Sequence, residues 1–178
     1  MGDEKEMQNT IANYLTAHKD TEAILALGST SAHPALAARG ENEMVKIDVR
    51  YEGGLHCHAV HGPSGQTLTT DAPVDNQGRG ESFSPTDLVA TALGTCMVTV
   101  MGIVADRHGW NIEGTTVSVG KEMTAEAPRR IRRLEVLIVG PAGLDDSVRK
   151  TLEKAAHSCP VLLSILPAIE VPVEFRWS

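Results

Sequence analysis

From Leu88 to Ala105 the chain carries no charged side chain, and Asp87 and Asp106 close the run at its two ends. No other feature limits the possible folds as strongly. These 18 residues reach the lower length bound for a membrane-spanning helix, about 17–25 residues. Thr91, Thr95, Cys96 and Thr99 dilute the run, however, and Gly94 and Gly102 interrupt its bulk. It also stands alone among amphipathic segments. A helix apolar all round in that setting is one buried inside a fold. The expectation is a core helix and no membrane partner. Gly94 and Thr95 place little bulk beside Cys96, so another element can pack closely there.

The start of this helix is written in "SPTD". Ser84 offers a hydroxyl at the N-cap, Pro85 suits the first helical position, and Asp87 lies near the positive end of the dipole. The helix is expected to run to about Arg107, with "HG" at 108–109 ending it. Ahead of it, Val45, Ile47 and Val49 alternate with polar residues and Gly53-Gly54 supplies a hairpin turn. Leu55, Cys57 and Ala59 then share one strand face, opposite His56 and His58. A short strand at 67–70 follows, and then a loop up to Ser82. Downstream, "NIEGTTVSVGKEM" and "IRRLEVLIVG" read as strands around an "AEAP" turn. "LDDSVRKTLEKAAHS" reads as a helix with Leu144, Val148, Leu152 and Ala155 on one face. "CPVLLSIL" starts another short helix, and "IEVPVEFRW" makes a final strand.

Residues 3–27 have the spacing of a helix (Met7, Ile11, Tyr14, Leu15) stopped by Gly28. Pro34 and Gly40 mark a linker. The domain division is therefore 1–43, a helical extension with its linker, and 44–178, the main domain. The polar, acidic N-terminus "MGDEKEMQNT" is neither a signal nor a transit peptide in composition. A formal charge of −7 argues against nucleic acid as a partner. Arg129, Arg130, Arg132 and Arg133 read as a solvated strand end. With aromatic residues at only 3%, the core must be aliphatic.

The three cysteines, Cys57, Cys96 and Cys159, form no CxxC pair and are too scattered for a disulfide scaffold. They fit a cytoplasmic protein with reduced thiols. Cys159 precedes Pro160 at a helix N-cap, where free N–H groups and the dipole lower a thiol's pKa. On that ground Cys159 is the more acidic thiol, and Cys96 needs a cationic neighbour. "HCHAVH" suggests a metal at first sight. His56 and His58 face away from Cys57, so these side chains cannot all ligate one ion, and a solvated strand face is the expectation. His157 either assists the Cys159 thiol or sits as a helix-end histidine.

"FSPTDLVATALGTCMVTV" followed by a distant "HSCPV" resembles the OsmC/Ohr family of osmotically inducible and organic-hydroperoxide-resistance proteins. The resemblance spans about 44–177, with "HGPSGQTLTTDAP" and "PRRIRRLEVLIVG" inside it. It implies an α+β fold with antiparallel sheets wrapped around two long central helices in an intertwined homodimer. It also implies a peroxidatic Cys96 and a resolving Cys159, reversing the dipole ranking. In the Ohr branch a glutamate ten positions before the first cysteine holds an arginine against the thiolate. That position here is Thr86, with Asp87 as the nearest acid, and Arg50 or Arg79 as candidate cations. The chain thus resembles the OsmC-like branch.

The implied activity is thiol-dependent reduction of organic hydroperoxides, without metal or organic cofactor. Cys96 would become a sulfenic acid, Cys159 would condense with it to a disulfide, and a dithiol, lipoyl-type by resemblance, would restore both. The alternatives from other classes are a protein of the same fold binding an apolar small molecule, and a redox sensor.

Overall fold

The computed structural model describes residues 44–178. The helix expected over 3–27 and its linker lie outside the described residues. The chain forms β1 (Ile47–Gly53), β2 (His56–His61), β3 (Thr67–Thr70), a single 3₁₀ turn (Val74–Asn76) and the long helix α1 (Pro85–His108). It continues through β4 (Thr116–Met123), β5 (Ile131–Gly140), α2 (Asp146–His157), α3 (Pro160–Ser164) and β6 (Val173–Trp177). The expected α+β class holds.

α1 is built as its ends predict. Ser84 and Asp87 form a reciprocal capping box, Pro85 sits in the first turn, and Gly109 closes the helix in the left-handed conformation. Its inner face, Leu93, Met97 and Met101, is fully buried. These residues pack with Leu134, Val136 and Ile138 of β5 and with Leu152, Ala155 and Ala156 of α2. Gly94 is the point of closest approach to β4: a Cβ placed there would lie 2.9 Å from Val119 and 3.3 Å from Val117. The helix is long and apolar enough to cross a membrane, and it is the core helix of this domain. Only 39% of its most apolar stretch is buried within the chain. Ala92, Thr95, Thr99 and Ile103 remain exposed along its outer face.

β1, β2 and β3 make one antiparallel sheet, pairing Tyr51 with Cys57, Val49 with Ala59, and Ala59 with Leu68. This register puts Ile47, Val49 and Tyr51 on the face of Cys57 and Ala59. That apolar face is open: Val49 is 65% exposed and Tyr51 64%. The hairpin turn carries three consecutive residues with positive φ, Gly53, Gly54 and Leu55. Glycine adopts this conformation freely and leucine rarely does.

The second sheet is mixed. β4 pairs antiparallel with β5, but β6 joins β5 in parallel, a departure from the all-antiparallel expectation. Two helices, α2 and α3, separate β5 from β6 and return the chain to the starting end of β5, which a parallel pairing requires. β6 is held by Trp177, whose indole N–H donates to Glu153 at 2.8 Å. Its ring lies over Gly140, where a Cβ would overlap it. The arginines 129, 132 and 133 pair with Asp75, Glu122 and Glu135 or Glu170, as a solvated strand end should.

Gly140→Ala forces a methyl group into the Trp177 ring, and an overpacked site of this kind costs about 1–3 kcal/mol. The expected result is a lower urea midpoint by far-UV circular dichroism. Gly120→Ala is the control, because its methyl would meet nothing closer than 3.8 Å. An unchanged midpoint in Gly140→Ala would refute the packing argument.

Candidate functional site

Cys96 lies in the middle of α1 and is half-buried, whereas Cys159 is fully buried. They belong to different elements, joined because α1 packs against both α2 and α3. The packing brings the two thiols close enough for Cys96 to influence the ionisation of Cys159. Around them are the aliphatic side chains of the core, among them Met97, Val100 and Leu162.

Cys159 is the N-cap of α3, with extended backbone dihedrals and Pro160 at the next position. The Leu162 N–H donates to its sulfur at 3.3 Å. The cap geometry is as the sequence implies, yet the thiol is not acidic. Burial is the largest influence and pushes its pKa up from 9.0 to about 11. The neighbouring Cys96 thiol adds to the rise, and the N–H bonds of Leu162 and Val161 only partly oppose it. Desolvation disfavours a thiolate more than one short helix terminus favours it. The expectation that Cys159 is the more acidic thiol is therefore corrected: it is a neutral S–H at physiological pH.

Asp87 is bound elsewhere. Its carboxylate accepts from the Ser84 N–H at 2.7 Å and pairs with Lys121 at 2.6 Å. Partial burial opposes its charge, but the bonds from Lys121 and Ser84 hold its carboxyl below the usual carboxylate range. Nine residues at 100° each place Asp87 about 13 Å from Cys96 along the helix, on the opposite side. Lys121 also donates to Thr86 at 2.7 Å, so one ammonium holds the position where the Ohr branch has glutamate and the aspartate after it. The sequence contained a signal for Lys121. It occupies the inward register of β4 with Val117, Val119 and Met123, where a charge needs a partner. Arg50 pairs with Glu52 at 2.8 Å and Arg79 with Glu81 at 3.7 Å. Cys57 lines a small apolar cavity of about 280 Å³ with Tyr51, Leu55 and Met123. The His157 ring meets Phe175 edge-on.

A larger cleft of about 850 Å³ lies along the first half of α1, bounded by β4 and residues 80–83. Phe83, Asp87, Thr91, Gly94, Val117 and Lys121 line it, and neither Cys96 nor Cys159 does.

The OsmC-like protein family matches residues 78–174, a span holding both Cys96 and Cys159. A solved structure from Psychrobacter arcticus, of a protein named for osmotic stress induction and a detoxification response, is 43% identical to the chain. The alignment covers 76% of this chain and 98% of that one, with a TM-score of 0.71. The chain belongs to the OsmC-like family. Among more distant members of known structure, the organic hydroperoxide resistance protein OsmC of Legionella pneumophila shares 19% identity. That match covers 77% of this chain and 99% of that one, at a TM-score of 0.60. OhrB of Bacillus subtilis, an organic hydroperoxide resistance protein, shares 18% identity, covering 75% and 98% at a TM-score of 0.55. These two likenesses show the OsmC-like fold. No curated protein matches the chain.

The raised Cys159 pKa links stability to pH. The buried thiol stays protonated in the fold until about pH 11, while the unfolded chain ionises near 9.0. Its contribution is thus fully present below pH 9 and declines as pH rises toward 11, because unfolding there releases a proton. Comparing urea unfolding of wild type with Cys159→Ala at several pH values should give a steeper wild-type decline in that window. The difference should be of order 2 kcal/mol. Parallel pH profiles would show that the thiol is not held neutral.

Proposed function

We propose that the chain is a cysteine-based, thiol-dependent peroxidase that reduces organic hydroperoxides, acting as a cytoplasmic homodimer. One observation carries the reading: inside the family-matched segment, the packing of α1 against α3 brings the fully buried Cys159 thiol beside Cys96. A neutral S–H can donate to a Cys96 thiolate and so favour it, which suits Cys96 as the attacking sulfur. The Cys96 thiolate attacks the terminal peroxide oxygen, the O–O bond breaks, and the alkoxide leaves and takes a proton to become the alcohol. Cys96 is then a sulfenic acid. The Cys159 thiol attacks that sulfur, forming the disulfide and releasing water. An external dithiol, of lipoyl type by family resemblance, reduces the disulfide by two exchange steps and is itself oxidised. The aliphatic surroundings of Cys96 favour an organic hydroperoxide over hydrogen peroxide.

The homodimer reading is supported by two open apolar surfaces, the outer face of α1 and the Ile47–Val49–Tyr51 face of the first sheet. Surfaces of this kind mark association sites. Light scattering of the full chain should give twice the monomer mass at micromolar concentration. A stable, folded monomer would remove this part of the proposal.

Cys96→Ser should abolish consumption of an organic hydroperoxide in the presence of dithiol. Cys159→Ser should allow the first oxidation but leave Cys96 as a sulfenic acid, which a dimedone-type probe labels there. Cys57→Ser should turn over as wild type does. Labelling of Cys159 in Cys96→Ser would reverse the assigned roles.

A second reading is a protein of this fold that binds an apolar small molecule without turnover; the cleft beside Phe83, Gly94 and Val117 contains neither Cys96 nor Cys159, though Asp87 and Lys121 also line it. It is the correct one if no variant alters peroxide concentration and no sulfenic acid forms.

A further inference from the structure

Outside the thiol pair, three side chains far apart in sequence converge. His56 opens β2, Asp71 follows β3, and Glu81 lies three residues before the cap of α1. His56 Nε2 is 3.6 Å from Asp71 Oδ1 and 3.5 Å from Glu81 Oε2, and the three ligand atoms lie within 4.8 Å of one another. Sequence spacing did not mark this group. The "HCHAVH" segment supplies only His56, and the two carboxylates come from later loops.

Each residue is prepared for the same task. His56 Nδ1 is 2.8 Å from the Gly54 carbonyl. A carbonyl only accepts, so Nδ1 carries the hydrogen, and in the neutral ring the Nε2 lone pair faces the two acids. An imidazole lone pair pointed at carboxylate oxygens is repulsive unless a cation stands between them. Asp71 is fully buried. One of its oxygens, Oδ2, accepts from the N–H groups of Arg79 and Glu81 at 3.0 Å each. The other, Oδ1, is buried and accepts no hydrogen bond from the described residues. An unpartnered buried carboxylate oxygen is costly, and this one points at His56. The two N–H groups on Oδ2 favour the carboxylate form of Asp71.

The spacing fits an ion. Ligands bound at about 2.1 Å in tetrahedral geometry lie about 3.4 Å apart, close to the two distances from His56. One imidazole and two carboxylates form a donor set suited to zinc and its first-row neighbours. The Gly54 carbonyl on the far ring nitrogen and the two N–H groups on Asp71 Oδ2 are the outer bonds that orient such ligands. Glu81 is mostly exposed, which leaves a route for the ion to enter and for water to complete its coordination.

We propose that His56, Asp71 and Glu81 bind a divalent transition-metal ion of the zinc class, which clasps the first sheet to the loop leading into α1. The ion takes no part in the thiol cycle.

The test uses the untagged full chain, stripped with chelator and kept reduced. Zinc titrated calorimetrically should bind once per chain at this site, at micromolar concentration or tighter. His56→Ala and Glu81→Gln should each weaken that binding by more than the roughly 10–100-fold that losing an outer hydrogen-bond partner costs. Glu81 is exposed, so Glu81→Gln keeps the test valid should His56→Ala unfold, and circular dichroism monitors both. His58→Ala and Cys57→Ser should bind as wild type does. Cobalt at the site should give a d–d spectrum without sulfur-to-metal charge transfer. The proposal is overturned by zinc uptake that survives both His56→Ala and Glu81→Gln. It is also overturned by uptake that disappears in Cys96→Ser, or by no zinc uptake by the folded, reduced chain.

Discussion

The contact of α1 with β4, β5 and α2 is the constraint on which the domain depends. Leu93, Met97 and Met101 have no exposed surface, and all face the same wall of β5 and α2 residues. The close approach at Gly94 lets β4 lie against the helix, and any larger residue there would strike Val119. Because the wall is aliphatic, its strength comes from burial and shape and contains few directional bonds. The polar work is done at the helix ends, by the Ser84–Asp87 box and by Lys121. One face of the helix builds the core and holds Cys96 at a fixed height beside α3. The other face, with Ala92 and Ile103, is left for contacts the single chain does not make.

Local features were legible in the sequence and long-range ones were not. The cap at Ser84, the end at Gly109, the Gly53-Gly54 turn and the strand alternation each rest on a few adjacent residues and standard propensities. The structure reproduces the cap, the helix end and the turn, and shows the alternation as burial in β4, whereas β1 is exposed along almost its whole length. The parallel seat of β6 depends on the path of two intervening helices, which no local pattern encodes. Leu55 with a positive φ was equally hidden, since the glycines before it already satisfied the turn.

The candidate site separates along the same line. That Cys159 caps a helix was readable, because Pro160 follows it. That its pKa is nevertheless raised was not, because its burial comes from a core cluster built largely on α1, far off in sequence. Local dipole reasoning gave the wrong sign at this residue for a definite reason: a five-residue helix supplies a small field, and complete desolvation opposes it. Lys121 lay between these extremes. Its inward register announced a buried charge, but the identity of its partner, Asp87, required the fold. His56, Asp71 and Glu81 were beyond sequence reading altogether, since their spacing matches no motif.

The parallel pairing of β6 also governs when the molecule can be completed. Leu134 and Val136 of β5 donate their N–H groups to the carbonyls of Glu170 and Pro172, residues near the very end of the chain. Those donors and the edge of β5 stay uncovered until β6 and the segment before it have docked. Pairing over such a separation is slow compared with forming a hairpin like β4–β5. A chain without β6 would present an uncovered strand edge at β5, an edge that other chains could pair with.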